Sequence, residues 1–167
     1  HLKNLDDEMI PLLKESGLKL VYIGIESSDP KVLKDIKRFT IANDEQQIII
    51  DKLKNNDILV KSMFMFGNPE DNEDSIKDTI SYSMKLSNQL VQYSVFTPYP
   101  GTPIFNHYEN KIIEKRYDKF NQYNLTFKHK NLDNKKIKTL KNYGYKKFYF
   151  RLKNLPIIIK SGLSFFK

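Results

Sequence analysis

The sequence predicts an α/β fold: the C-terminal half of a partial (β/α) TIM-like barrel with parallel strands, followed by a basic extension of helices and irregular chain. Three observations predict it. Apolar strand-like runs end near Glu26, Phe66 and Phe96, and helix-period stretches lie before and between them. The spacing of those ends matches successive βαβ units, whose crossovers place strands in parallel with helices outside. Three units fall short of a closed eight-unit barrel, which takes about 250 residues.

The elements follow in order. Leu5 to Ser16 carries Leu5, Met9, Ile10, Leu12 and Leu13 on one helical face, and Gly17 is placed for a left-handed cap. LVYIGIE, residues 20–26, is continuously apolar rather than alternating, as expected of a parallel strand covered on both faces. Asp29-Pro30 supplies an N-cap and a first-turn proline for a short helix reaching about Lys37. A helix from Asp44 to Asn55 leads into the strand ILVKSMFMF, which Gly67-Asn68-Pro69 terminates. Asn72, Glu73 and Asp74 suit the positive end of a helix from Ser75 to Leu86. The third strand, QYSVFTP, runs into the turn PYPGTP. Past Phe105 the periodicity weakens, so residues 1–106 are expected to form the half-barrel and 107–167 an extension without a core of its own.

At 167 residues with 40% hydrophobic and 29% charged side chains, the chain can build one domain with a buried core. It has no cysteine, which excludes disulfides and thiolate ligands and makes a cytoplasmic setting the default. His1, His107 and His129 lack metal-site spacing. The chain opens on His1 without a signal-like segment, and we expect it to be the interior of a longer reading frame. Charge divides it: residues 1–106 hold 12 Lys/Arg against 16 Asp/Glu, and residues 107–167 hold 16 against 4.

Ligands of parallel α/β sheets bind beyond the carboxyl ends of the strands. That rule selects 24–28, 65–70 and 96–99. Gly24 and Gly67 permit close approach, and Glu26 is the one charge in its strand. Its carboxylate suits the vicinal hydroxyls of a sugar, and Arg38 suits a carboxylate. A bland alternative stands beside each: Glu26 solvated or capping the helix at Asp29, Arg38 facing water late in a helix.

GIESSDPKVLKDIKR, MFMFGNPEDNEDSI and FTPYPGTPIF, in this order, resemble the second half of a radical S-adenosylmethionine enzyme barrel. The resemblance is to the cobalamin-binding class that includes the anaerobic magnesium-protoporphyrin monomethyl ester cyclases. It implies that Glu26, with Gly24 and Ser27 in the same GIES stretch, meets the ribose of S-adenosylmethionine. It implies that Arg38 pairs with the methionyl carboxylate. Met65, Gly67 and Glu70 fall on a GXIXGXXE motif that, with Phe66 and Phe96, borders the adenine. Met63 replaces the first glycine of that motif, GNPEDN replaces GLPGET, and Phe39 stands where a glycine usually follows the basic pair. The CxxxCxxC motif that holds a 4Fe-4S cluster is absent, so cluster ligands, and any cobalamin domain, are expected outside this chain.

The resemblance thus implies a piece of an enzyme that binds S-adenosylmethionine and, with the cluster-bearing half, generates a 5′-deoxyadenosyl radical for an unidentified small-molecule substrate. No catalytic residue is assigned within the chain itself. The rival is a non-catalytic half-barrel that binds a nucleotide-like ligand or a partner protein. In the tail, Lys146, Lys147, Arg151 and Lys153 interleave with Tyr145, Phe148, Tyr149 and Phe150. This pattern fits contact with an anionic membrane surface, with Ile157 to Ile159, Phe165 and Phe166 inserted, better than nucleic acid. The bland reading is that the aromatics close the barrel and the lysines are solvated.

Overall fold

A computed structural model describes residues 2–36, 38 and 42–151. After a 3-10 turn at Leu2–Asn4 the order is α1 (Met9–Glu15), β1 (Leu20–Glu26), α2 (Pro30–Asp35), α3 (Asn43–Asn55), β2 (Leu59–Phe66), α4 (Glu73–Lys85), β3 (Leu90–Val95), α5 (Pro103–Tyr108) and α6 (Asn134–Tyr149). The strands form one parallel sheet in the order β1-β2-β3.

Local chemistry accounts for these boundaries. Asp29 accepts a hydrogen bond from the Lys31 N–H at 2.8 Å and Pro30 opens α2, so the expected cap is in place. Asn72 accepts from the Asp74 and Ser75 N–H groups, and Ser75 Oγ accepts from the Asn72 N–H, closing a capping box at the start of α4. Gly17 and Gly67 have φ of 90° and 76°, the left-handed conformation their turns require. The first helix begins at Met9, later than its apolar pattern indicates, because Asp6 accepts from the Glu8 and Met9 N–H groups and starts the turn there.

The sheet alternates, which corrects the expectation of strands covered on both faces. Ile23 and Ile25, Val60, Phe64 and Phe66, and Val91, Tyr93 and Val95 are buried on one face. Against it lie α3 and α4 along β2, and α6 along β3 and α4. Phe66 stacks on Tyr93 at 4.9 Å, and Tyr93 Oη bonds Ser83 Oγ of α4 at 2.7 Å. The other face presents Tyr22, Gly24, Lys61, Met63, Met65, Gln92 and Ser94, all partly or largely exposed. The run of apolar residues hides this because tyrosine, methionine and glycine tolerate a half-exposed surface.

The expected division after residue 106 falls inside α5. Tyr108, Leu125, Phe127, Ile137, Leu140 and Phe148 belong to the same core as the strands, so the chain beyond residue 106 shares that core. In α6, Tyr145 Oη accepts from the Tyr93 N–H at 3.0 Å, and Tyr149 Oη accepts from the Val91 N–H and donates to the Val91 carbonyl. The Val95 N–H donates to the Gln122 carbonyl at 2.7 Å. The outer edge of β3 is thereby satisfied without another strand. Lys146 and Lys147 face solvent on the same helix, and the Arg151 guanidinium lies 3.8 Å over the Phe148 ring. Lys153 and the apolar residues 157–159, 165 and 166 lie outside the described residues. Among the described residues no helix is long and apolar enough to cross a membrane.

Candidate functional site at the carboxyl end of the sheet

The carboxyl end of β1 is shaped by one irregularity. Pairing with β2 slips between Gly24 and Glu26, and Glu26 takes φ 70°, which costs a residue with a Cβ on the order of 1–3 kcal/mol. Its carboxylate folds back across Gly24. A Cβ at Gly24 would lie 2.7 Å from Glu26 Oε1 and 3.0 Å from Arg38 Nη2, so the missing side chain is the space that both groups use.

Glu26 and Arg38 face each other at 3.6 Å, with side chains 21% and 41% exposed. The Arg38 N–H donates to the Leu33 carbonyl, holding the arginine where α2 ends. Burial pushes the Glu26 carboxyl above its usual value, and the Arg38 charge opposes that shift. The result is a strained, partly desolvated carboxylate beside a guanidinium in a loose pair. Asp29 does the capping of α2, so Glu26 is free of that task.

The other residues singled out in the sequence fall in three groups. Met65 lies with Gly24 on the open face, one step along β2 from Phe64, the register partner of Glu26. Ser27 and Phe66 are turned inward. Ser27 Oγ accepts from the Asp29 N–H and bonds Thr79 Oγ1, tying β1 to α4, and Phe66 is 1% exposed against Tyr93. Phe96, just past the end of β3, is buried under Tyr108 and Phe127, with ring centroids 6.2 and 5.8 Å away.

Gly67 and Glu70 shape the loop above β2. A Cβ on Gly67 would meet Ile137 Cδ1 at 2.6 Å, so the glycine admits α6. Glu70 is exposed, holds Lys130 Nζ with both oxygens at 2.8 Å, and is kept below the usual carboxylate range by that bond. Beneath, buried Asp71 accepts from the Asn68 N–H, Asn68 Nδ2 and Ser75 Oγ, while burial pushes its carboxyl up. His129 Nδ1 accepts two backbone N–H groups, so it bears no proton and Nε2 donates to the Asn68 carbonyl.

The sequence did not point to the cavities beside this end. One of about 470 Å³ opens between Asp35 and Ile36 at the end of α2 and Pro103, Ile104 and His107 of α5. Tyr108 forms a wall of it and of a second cavity of about 330 Å³ near Glu70. The available signal was Thr102-Pro103, a cap and first-turn proline that opens α5.

The residues at β1 fit part of S-adenosylmethionine: a carboxylate to accept from a ribose diol, a guanidinium for a carboxylate, and a Cβ-free surface between them. They do not fit an iron–sulfur cluster. The chain has no cysteine, and among the described residues no group of three or more His, Asp or Glu could hold a metal.

The Radical SAM superfamily profile matches residues 3–82. The chain is 29% identical over 130 residues to bacteriochlorophyllide d C-12(1)-methyltransferase of Chlorobaculum tepidum, covering 78% of this chain and 28% of that protein. It is 24% identical over 148 residues to the anaerobic magnesium-protoporphyrin IX monomethyl ester cyclase of Cereibacter sphaeroides, covering 87% and 24%. The chain therefore spans about a quarter of the length of these relatives. In fold it matches the radical S-adenosylmethionine methyltransferase TsrM from Kitasatospora setae, solved with cobalamin and a [4Fe-4S] cluster bound. That match has a TM-score of 0.58 and 20% identity, over 65% of this chain and 22% of that one.

Proposed function

Because residues 3–82 match the Radical SAM superfamily, we propose that this chain binds S-adenosylmethionine at the carboxyl end of β1 as one part of a larger catalytic unit. Glu26 accepts the ribose hydroxyls, Arg38 holds the methionyl carboxylate, and Gly24 leaves room for both. Met65 and the backbone at Gly67 border the adenine from the neighbouring strand. The observation that carries this reading is the left-handed Glu26 folded over Gly24 and facing Arg38, an arrangement that costs strain and desolvation.

Bound S-adenosylmethionine supplies a source of the 5′-deoxyadenosyl radical when a 4Fe-4S cluster reduces it. The chain contains no cysteine, so thiolate ligands for that cluster would come from other polypeptide. The chain's own work is to orient the cofactor and shield one side of it. The names of the relatives favour methyl transfer or ring closure on a small molecule as the overall reaction.

Calorimetric titration of the protein with S-adenosylmethionine tests the site. Binding weakened at least tenfold by Glu26→Ala, and less by the more exposed Arg38→Ala, is the expected result. Unchanged affinity in both variants would remove the assignment. The absence of cysteine also favours a second reading, in which the chain binds the nucleotide without taking part in turnover. Supplying the cluster-bearing half separates them: cleavage of S-adenosylmethionine appears only under the first.

A further inference from the structure

The cavity beyond Tyr108 brings three lysines, Lys111, Lys128 and Lys130, together with one carboxylate, Glu70. Residues 111–113 and 126–128 pair antiparallel: Ile112 bridges Phe127, the Lys128 N–H donates to the Lys111 carbonyl at 2.7 Å, and the Ile113 N–H donates to the Thr126 carbonyl at 2.9 Å. This pairing sets Lys111 and Lys128 side by side, and both line the same 330 Å³ space. Neighbouring like charges repel, and a ligand anion between them would remove that cost.

Both oxygens of the nearby Glu70 carboxylate hold Lys130, and Lys111 lies within its electrostatic reach without a direct ion pair. Lys111 and Lys128 have no ion pair among the described residues, and Lys111 Nζ sits 5.5 Å from the Tyr108 ring centroid. Below them Tyr108 and Phe127 form an aromatic wall, with centroids 5.3 Å apart. Tyr108 is largely buried. A basic rim and an aromatic wall that ends in a phenol hydroxyl together suit one kind of ligand: an aromatic or planar body bearing an anionic group.

We propose that the cavity framed by Tyr108, Phe127, Lys111 and Lys128 is a binding subsite for a small aromatic ligand that carries a carboxylate or a phosphate. The body packs on the Tyr108 and Phe127 rings. The anion lies between the two ammonium groups and accepts from the Tyr108 hydroxyl. The subsite does not use Glu26 or Arg38, so it stands apart from the cofactor assignment.

Titrating the 167-residue protein with naphthoate, naphthyl phosphate and neutral naphthamide tests it, with Tyr and ligand fluorescence as readouts. The expected result is that at least one anion binds about tenfold more tightly than the amide, the scale that two partly exposed charge contacts supply. Which anion wins separates carboxylate from phosphate ligands. Lys111→Gln with Lys128→Gln abolishes the preference, Lys111→Arg with Lys128→Arg retains it, and Glu26→Gln leaves it unchanged. Equal binding of anion and amide, or a preference that survives loss of both lysines, overturns the proposal. Displacement of the anion by S-adenosylmethionine would overturn it by assigning the cavity to the cofactor. A short single-stranded RNA that binds through the same lysines in preference to the naphthyl ligands would overturn it in favour of a nucleic-acid surface.

Discussion

Glu26 combines a left-handed backbone, burial and an opposed arginine. Burial holds its carboxyl above the ordinary value of 4.5, so the native state holds this proton more tightly than the unfolded chain does. By linkage, its contribution to stability falls as pH rises from about 4.5 through the raised value, and the ionised group is a net cost above it. Glu26→Gln is therefore expected to raise the thermal midpoint at neutral pH, with the gain vanishing below pH 4.5, while it weakens S-adenosylmethionine binding. Thermal unfolding across pH checks the sign. Gly24→Ala gives the complementary outcome: its Cβ would occupy the space of Glu26 Oε1, so cofactor affinity drops as in Glu26→Ala although no polar group is removed. Glu26 was legible in the sequence because a lone charge at the end of an apolar run is conspicuous. The turn inward of Ser27 was not, because it depends on Thr79, a partner distant in sequence.

At the scale of elements, α6 does two jobs that its composition conceals. Tyr145 and Tyr149, one turn apart, meet Tyr93 and Val91, two residues apart on β3, and occupy their edge hydrogen bonds. Replacing both tyrosines with phenylalanine should cost about 2 kcal/mol in denaturant unfolding, near 1 kcal/mol for each hydroxyl, and increase self-association through the exposed edge. Gly144 on the same helix lies where a Cβ would come 2.9 Å from Tyr93 Cε2. The sequence shows interleaved aromatics and lysines, and only the register of α6 against β3 tells which aromatics face the sheet. The contact of α6 with α4 also has a charge component: Glu73 binds Lys77 and Lys136, which hold its carboxyl down to about 2. A depressed carboxyl stabilises above its unfolded value and loses that contribution as pH falls toward 2. Acid unfolding followed with Glu73→Gln should therefore show a shallower loss of stability below pH 4.5 than the parent chain.

Across the whole molecule, three strands and their helices share one core with residues 107–151, and one sheet face stays open. The parallel order and the strand ends were legible because apolar runs, glycine breaks and helix caps are local signals. The open face was not, since an apolar run does not say what lies against it. The subsite at Lys111 and Lys128 was also hidden, because a non-local backbone bridge assembles it. The chain lacks cysteine, so incubation with iron and sulfide should produce no thiolate-to-iron absorbance from this protein by itself.

The central claim is that Glu26 reads the ribose of S-adenosylmethionine. Its most direct test is a calorimetric comparison of S-adenosylmethionine with its 2′,3′-dideoxy analogue, on the parent chain and on Glu26→Ala. A carboxylate that accepts two hydroxyl protons predicts at least tenfold weaker binding of the analogue to the parent and nearly equal binding of both ligands to the variant. Equal affinity of the two ligands for the parent chain would contradict the account.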